Sequence, residues 1–368
     1  MTATPTADFP AVKRQPIADA PSAVDQLVIQ TSFLGDTVLT TPLITELAMR
    51  GPVDVLTTPA GAPVLANNPH IRTLLVYDKR GADAGAAGMH RVAQQLREGV
   101  RGKQVEHRIA YLAQGSLRSA AIAALGGYGE RVGFADAAGR LFYTMRVPRR
   151  EDRHHAERLW RLAFPSNPHV EPPDGALRPR LYPSLTDRAS VDALLGAWSH
   201  EHFVALAPGS VWATKRWPYY SELATRLAPR HRLVIVGGRD DAEIAQAIVA
   251  AAPQGRVIDA TGKLSLLASA ELIGRAQVIV TNDSSPQHLA SAMSTPTITI
   301  YGPTVERFGF GPLAPNSVVA EVPELECRPC HHHGPPTCPL GHWRCMKELT
   351  PAAVEHLVEH IASDQFGK

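Results

Sequence analysis

The feature that most constrains the fold is an alternation of short apolar, β-branched runs with amphipathic stretches, broken once by a proline-rich segment. In the first half, residues 27–30, 53–57, 74–77 and 108–113 read as strands, and 37–50, 90–102 and 116–125 as helices. Between Pro165 and Pro183 the chain carries Pro165, Pro168, Pro172, Pro173, Pro179 and Pro183, a density that no helix or central strand tolerates. The alternation then resumes, with strands at 203–207, 233–237, 257–260, 278–281 and 297–301 and helices at 219–227, 241–252, 265–275 and 284–293. Such βα repetition predicts an α/β protein of two Rossmann-like domains, their parallel sheets facing a cleft. The expected division is 24–185 and 186–349, followed by a C-terminal helix and tail over 350–368. A length of 368 residues fits two domains at roughly 150 residues each. Residues 1–23, rich in Pro, Ala and Thr without either period, read as a disordered leader.

Composition removes several function classes. The chain is 44% hydrophobic and 20% charged, which fits an ordinary globular protein and excludes disorder throughout. No apolar run approaches the ~18 to 20 residues that cross a bilayer, and the leader lacks the apolar core of a secretory signal, so the expected address is the cytoplasm. The net charge of +2 conceals an asymmetry: residues 1–185 carry 22 basic and 17 acidic side chains, and residues 186–368 carry 15 and 18. The first half is therefore +5 and the second −3, with the excess centred on Arg140, Arg146, Arg149, Arg150, Arg153, Arg158 and Arg161. That cluster fits either an anionic partner or a solvated arginine-rich helix. Nucleic acid is not expected as a partner.

Ligands of open parallel sheets bind beyond the carboxyl ends of the strands, so the loops there carry the candidates. After the first strand, Gly35 permits a tight turn, and Asp36 falls at the start of a helix, either as an ordinary first-turn acid or as a group in the cleft. The loop over 208–218 holds Ser210, Thr214, Lys215 and Arg216; its small hydroxylated residues suit an anion. Two cations beside a helix N-terminus require an anion or carboxylate between them. The strand at 278–281 runs into Asn282-Asp283-Ser284-Ser285-Pro286-Gln287-His288, in which Asp283 is expected to cap the helix and the amides of Ser284 and Ser285 to form an anion seat. His288 is either a buried histidine or a ligand-binding one. The aromatics of 301–304 and 308–312 either pack a sugar or base face or plug the core.

In this order, strand-Gly-Asp-helix, then Lys-x-Trp-Pro, then Asp-Ser-x-x-x-His, the chain resembles the glycosyltransferases of family nine, the lipopolysaccharide heptosyltransferases and their relatives. The likeness is strongest at Lys215-Arg216-Trp217-Pro218-Tyr219-Tyr220-Ser221-Glu222-Leu223 and over 283–304. Thr261-Gly262-Lys263-Leu264-Ser265-Leu266 is similar to that family's nucleotide loop and Gly237-Gly238-Arg239-Asp240-Asp241 to its ribose-side turn, either Asp240 or Asp241 serving the ribose. Ser285 stands where the family usually has glycine. The resemblance implies a GT-B fold and inverting transfer of heptose from an ADP-sugar donor, ADP-heptose, to the lipopolysaccharide core, with another nucleotide sugar or a non-catalytic binding module as alternatives. It implies Asp36 as the base, Lys215 as the electrostatic partner of the leaving group, and Ser210, Thr214, Asp240, Asp241, Thr261, Gly262, Leu264, Asp283, Ser284, Ser285 and His288 around the donor. No cofactor is expected for catalysis, and the sequence has no Asp-x-Asp pair to hold a divalent ion on a diphosphate. The position of Asp36 at a helix start is expected to lower its pKa and weaken it as a base. A lipopolysaccharide acceptor implies peripheral contact with the cytoplasmic face of the inner membrane, although no amphipathic anchor stands out in the sequence.

All four cysteines lie between 327 and 345, as Cys327-x2-Cys330-x7-Cys338-x6-Cys345, with His331, His332, His333 and His342 interleaved. The first spacing suits a structural zinc and the second lacks the usual knuckle, so reduced thiols are the alternative.

Overall fold

The computed structural model describes residues 24–100, 102, 108–167 and 169–364. The expected leader, Arg101 of the expected helix over 90–102, Pro168 and residues 365–368 of the tail lie outside the described residues. Twelve strands are described: β1 Asp25–Gln30, β2 Val53–Thr57, β3 Ile71–Val76, β4 Arg108–Leu112, β5 Glu130–Phe134, β6 Met145–Val147, β7 Phe203–Ala207, β8 Arg232–Ile235, β9 Val257–Asp259, β10 Val278–Asn282, β11 Thr297–Tyr301 and β12 Val318–Glu321. They form two six-stranded parallel sheets, ordered β3-β2-β1-β4-β5-β6 and β12-β11-β10-β7-β8-β9. The helices are α1 Leu34–Leu39, α2 Thr41–Ala48, α3 Ala62–Leu65, α4 Gly85–Gly99, α5 Leu117–Leu125, α6 His155–Trp160, α7 Leu185–Leu195, α8 Tyr220–Leu227, α9 Ala242–Ala251, α10 Leu266–Arg275, α11 Ser285–Met293, α12 Arg344–Lys347 and α13 Pro351–Asp364.

The central strands β1, β7, β10 and β11 are buried along their whole length, as helices on both faces of a parallel sheet require. The polar residues of β1 are buried with partners. Asp25 accepts from Arg72, Gln26 donates to the carbonyls of Leu47 and Gly51, and Gln30 donates to the Thr40 hydroxyl. The single helix expected over 37–50 is two. Pro42 has no N–H to continue the ladder through Thr40, and the Thr40 and Thr41 hydroxyls bond back to the carbonyls of Asp36 and Val38. Strands β5, β6 and β12 escaped the sequence reading. β5 contains Gly133, where the Tyr143 ring fills the place of a side chain, and β6 is only three residues long.

Among the described residues of 165–184 there is no helix or strand. Helix α13 lays Val354, Val358 and Ile361 into the apolar cluster of the second sheet. The two lobes also share core. Val38 of α1 and Val64 of α3 pack in a cluster with Leu267 and Leu289 of the second lobe, while Phe310 and Leu313 pack against the first. Polar bonds reinforce this seam: His155 N–H donates to Gly309 O at 2.7 Å, His154 Nε2 lies 3.0 Å from Gly311 O, and Arg158 Nη2 donates to Phe308 O at 3.0 Å. Arg158 and Arg161 are thus buried, which corrects the expectation of a uniformly solvated arginine helix. Arg158 also donates to the Arg150 and Glu151 carbonyls, and Arg161 bonds Glu157.

Helix α1 approaches α11 so closely that a Cβ on Gly35 would stand 2.6 Å from a ring carbon of His288. Gly35→Ala is therefore expected to lower stability by about 1–3 kcal/mol, the usual cost of overpacking. Gly99→Ala, with nothing within 4 Å of the added carbon, should leave stability unchanged or slightly raised. Thermal unfolding of both variants checks the contrast, and equal midpoints would contradict it.

Candidate active site

Four adjacent strands, β10-β7-β8-β9, bring their following loops side by side at the carboxyl edge of the second sheet. Asp283, after β10, is the hub. Lys215 Nζ donates to its Oδ2 at 2.6 Å, the Thr304 hydroxyl donates to the same oxygen at 2.7 Å, and the Gln287 amide donates to Oδ1 at 3.1 Å. Asp283 is therefore not the helix cap expected from the sequence. Ser284 takes the N-cap position of α11, and no side chain bonds the first amides there. A nearly buried ammonium needs a counter-charge more than a helix end needs a cap. Lys215 sits in a short turn, Ala213–Lys215, upstream of α8 rather than beside its first turn. Of the two resolutions open to the cation pair, the structure shows the carboxylate, and Arg216 turns away to donate to the Ser210 carbonyl at 2.8 Å.

Asp36 faces this hub from the first lobe. Its side chain is 18% exposed and lies 3.6 Å from His155 Nε2. Burial pushes its carboxyl above the ordinary range, outweighing the Ser32 side chain and His288, which pull it down. The expected lowering by the helix start is thus overturned. α1 is only six residues long, and removal from water is the stronger effect. Burial first, then Arg158, His154 and Arg149, hold His155 down at about 3, while His288 is held at about 4, again by burial first. Both imidazoles are neutral, so the contact with Asp36 is not an ion pair. His288 feels both Asp36 and Asp283, and His333 feels both Lys215 and Asp36. Asp36 therefore shares His288 with Asp283 and His333 with Lys215. His155 Nδ1, His288 Nδ1 and Gln287 Oε1 are buried without a hydrogen-bond partner.

The remaining predicted residues separate into those on the loop edge and those already committed. Asp241, not Asp240, lies inside: its carboxylate accepts from Gly238 N–H at 2.8 Å and packs against Gly209 and Gly237, whereas Asp240 is exposed. Thr261 is buried and bonds Asp259 through both its N–H and its hydroxyl. Gly262, at φ +66°, lets its loop close on Arg239, and its N–H donates to Gly237 O. Leu264 packs against the core cluster that contains Val234 and Leu267. Ser210 accepts from Trp212 N–H, the Ser284 hydroxyl donates to Gly209 O, and Ser285 is half-buried at the head of α11. The Thr214 hydroxyl donates to Pro335 O, so it supports the cysteine-rich segment instead of standing free for an anion.

That segment roofs the site. Gly334, at φ +87°, sits against Thr214 and Lys215, and the rings of His333 and His332 lie 6.0 and 4.9 Å from those of Phe33 and Phe308. Arg328 anchors it, donating to the carbonyls of Gly302, Val322 and Thr304. Among the described residues no three His, Cys, Asp or Glu side chains are arranged to hold a metal ion, and Cys327, Cys330, Cys338 and Cys345 are free of disulfides. The Cys330 thiol donates to Cys327 O; at Cys338 burial pushes the pKa up but is outweighed by the surrounding backbone N–H groups, which lower it; and Cys345 is buried on α12.

Sequence reasoning missed His154, His155 and Gln287. The segment 140–161 registered only as charge, although two adjacent histidines at a helix start were the available signal. Gln287 Nε2 also donates to Phe310 O at 3.0 Å, and the Phe310 ring lies 4.8 Å from that of His155. Gln287 therefore links Asp283 in one lobe to the Asp36 neighbourhood in the other.

The family model for glycosyltransferase family 9 (heptosyltransferase) matches residues 89–343. Lipooligosaccharide heptosyltransferase 2 of Haemophilus influenzae is 25% identical over 359 residues, covering 91% of this chain and 99% of that one. A family 9 glycosyl transferase from Veillonella parvula superposes with a TM-score of 0.79 at 21% identity, covering 94% of this chain and 99% of that one. The Escherichia coli ADP-heptose lipopolysaccharide heptosyltransferase II does so with a TM-score of 0.76 at 23% identity, covering 93% and 100%. The two facing parallel sheets are those of the GT-B fold.

The neutral histidines set a pH signature. Unfolded histidines take up protons near pH 6.5, whereas folded His154 and His288 do so only at about 4 and His155 at about 3. Between those values the unfolded chain binds more protons, so stability is fully present above 6.5 and lost as pH falls towards 4. Asp36 has the opposite sign: its raised pKa contributes stability that is lost as pH rises through the folded value. The unfolding midpoint is expected to drop between pH 7 and 4.5, with a shallower drop in His155→Gln, and Asp36→Asn should raise the midpoint at pH 7. A flat wild-type profile would contradict this account.

Proposed function

Because this chain belongs to glycosyltransferase family 9, the heptosyltransferases, we propose that it transfers heptose from ADP-heptose, with inversion at the anomeric carbon, to the inner core of lipopolysaccharide. The observation that carries this reading is that, across the contact of α1 and α11, His288 feels both Asp36 and Asp283 and His333 feels both Asp36 and Lys215, which is itself paired with Asp283.

An acceptor hydroxyl must give up its proton as it attacks the anomeric carbon, and Asp36 takes it. Its raised pKa makes it a stronger base than an exposed carboxylate while leaving it ionisable. As the bond to the diphosphate breaks, negative charge gathers on the leaving oxygen. Lys215 and the amides at the head of α11, Ser284 and Ser285, supply fixed positive polarity there without a metal ion. Asp283 holds Lys215 in place before the donor arrives, while Thr304 and Gln287 keep the carboxylate satisfied on its other lone pairs. Ser210, Asp241, Thr261, Gly262 and Leu264 line the edge where the nucleoside fits, Asp241 serving the ribose. The cationic first lobe faces the anionic acceptor.

Asp36→Asn is expected to reduce transfer by roughly a hundred- to ten-thousand-fold, the range for a lost general base, with ADP affinity unchanged by calorimetry. Near-normal turnover in that variant would remove Asp36 from the mechanism. Lys215→Ala should weaken both ADP binding and turnover, and unchanged values in both would count against the electrostatic role. A thermal-shift series of nucleoside diphosphates and their sugars tests the donor, since a ligand of the folded state raises the midpoint with its affinity. ADP and ADP-heptose should give the largest shifts.

A further inference from the structure

We propose that a corner of the first lobe built from Leu117, Leu141 and Phe142 is its contact with an anionic lipid surface. This rests on the lipid-linked acceptor of the reading above and says where the bilayer meets the protein. The turn Arg140–Phe142, which follows β5, packs on the first turns of α5. Gly139 N–H donates to Gly115 O at 3.1 Å, and a Cβ on Gly139 would stand 2.7 Å from that of Ala120. The packing leaves Leu141 79% exposed, Leu117 54% and Phe142 38%. Three large apolar side chains gathered at one corner mark an interaction site more than chance exposure does.

The charge around them identifies the partner. Arg118, Arg140 and Arg146 are exposed beside these side chains. Among the described residues Arg140 and Arg146 donate only to backbone carbonyls, those of Ala137 and Arg140, whereas the neighbouring Arg149 and Arg150 are paired with Asp136 and Asp152. On the other side of Arg118, Lys79 and Arg80 extend the cationic rim; burial and these two guanidiniums lower the Lys79 pKa. Apolar tips ringed by unneutralised cations match the interface of an anionic bilayer, where the tips enter the headgroup boundary and the guanidiniums meet phosphates. Among the described residues no helix is long and apolar enough to cross a membrane, so this contact is peripheral.

Position supports the same partner. In the strand order β1-β4-β5 the loops bearing Asp36, Leu117 and Leu141 are consecutive along one edge. A bilayer on that corner lies beside the catalytic crevice and presents its headgroup sugars towards it. The sequence showed no amphipathic anchor because the patch is assembled from two separate turns and follows no single helical period.

The test is co-sedimentation of the full chain with phosphatidylglycerol-containing and pure phosphatidylcholine vesicles, for wild type, Leu141→Asp and the control Leu185→Asp, whose leucine is 81% exposed on the other lobe. Wild type and Leu185→Asp should bind the anionic vesicles, less so as salt rises. Leu141→Asp should lose about ten-fold in partitioning with an unchanged unfolding midpoint. Equal partitioning of wild type between the two vesicle types, or undiminished binding of Leu141→Asp, overturns the proposal. Transfer to a deacylated soluble acceptor separates this from the enzymatic reading. If that transfer is absent while patch-dependent binding persists, the enzymatic reading fails and the lipid contact stands. If transfer occurs and Leu141→Asp binds vesicles as wild type does, the contact alone fails.

Discussion

The site depends on one close approach, the backbone of Gly35 against the imidazole of His288. Without a side chain at 35, helix α1 can press Asp36 into a region shared by both lobes, and most of the water around its carboxyl is displaced. The same approach helps bury His288, and burial is what holds that imidazole neutral. Burial raises the pKa of an acid and lowers that of a histidine, so one packing event moves the proton affinities of base and neighbours towards each other. The reactivity of the acid thus follows from how two halves of the chain fit together, and no residue of either half alone would produce it.

The charge arrangement on the second lobe has a similar economy. Lys215 is held by a carboxylate that is itself fully engaged by Thr304 and Gln287. Under the proposed reaction, the diphosphate meets an ammonium already fixed in position, which leaves little reorganisation for the moment of bond breaking. The roof formed by His332, His333 and Gly334 keeps this region apart from bulk water, and Arg328 fixes the roof to the loop after β11.

Much of the fold was legible in the sequence because buried parallel strands are short apolar runs that few other structures produce. β7 and β11 coincide with such runs, while β5 and β6 do not, since Gly133 and a three-residue span carry no periodicity. Asp36, Lys215 and Asp283 were visible from their places after strands. Their relations were not. Pairing of Lys215 with Asp283 joins residues far apart in the chain, and a local rule assigns Asp283 to the nearer helix end. The direction of the Asp36 pKa depended on burial from the opposite lobe, which no local pattern contains. His155 and Gln287 stayed hidden for the same reason, as each acquires its role through a partner in the other half.

The loop 308–311 belongs by chain order to the second lobe, yet its bonds run both ways. The Phe310 carbonyl accepts from Gln287 and Tyr301, while the Phe310 ring leans on His155 and the Gly309 carbonyl accepts from the first turn of α6. This makes the halves poorly interchangeable. A chimera that grafts the acceptor half of one relative onto the donor half of another at the proline-rich segment would inherit a mismatched seam, unless residues 308–311 travel with the α6 they were fitted to.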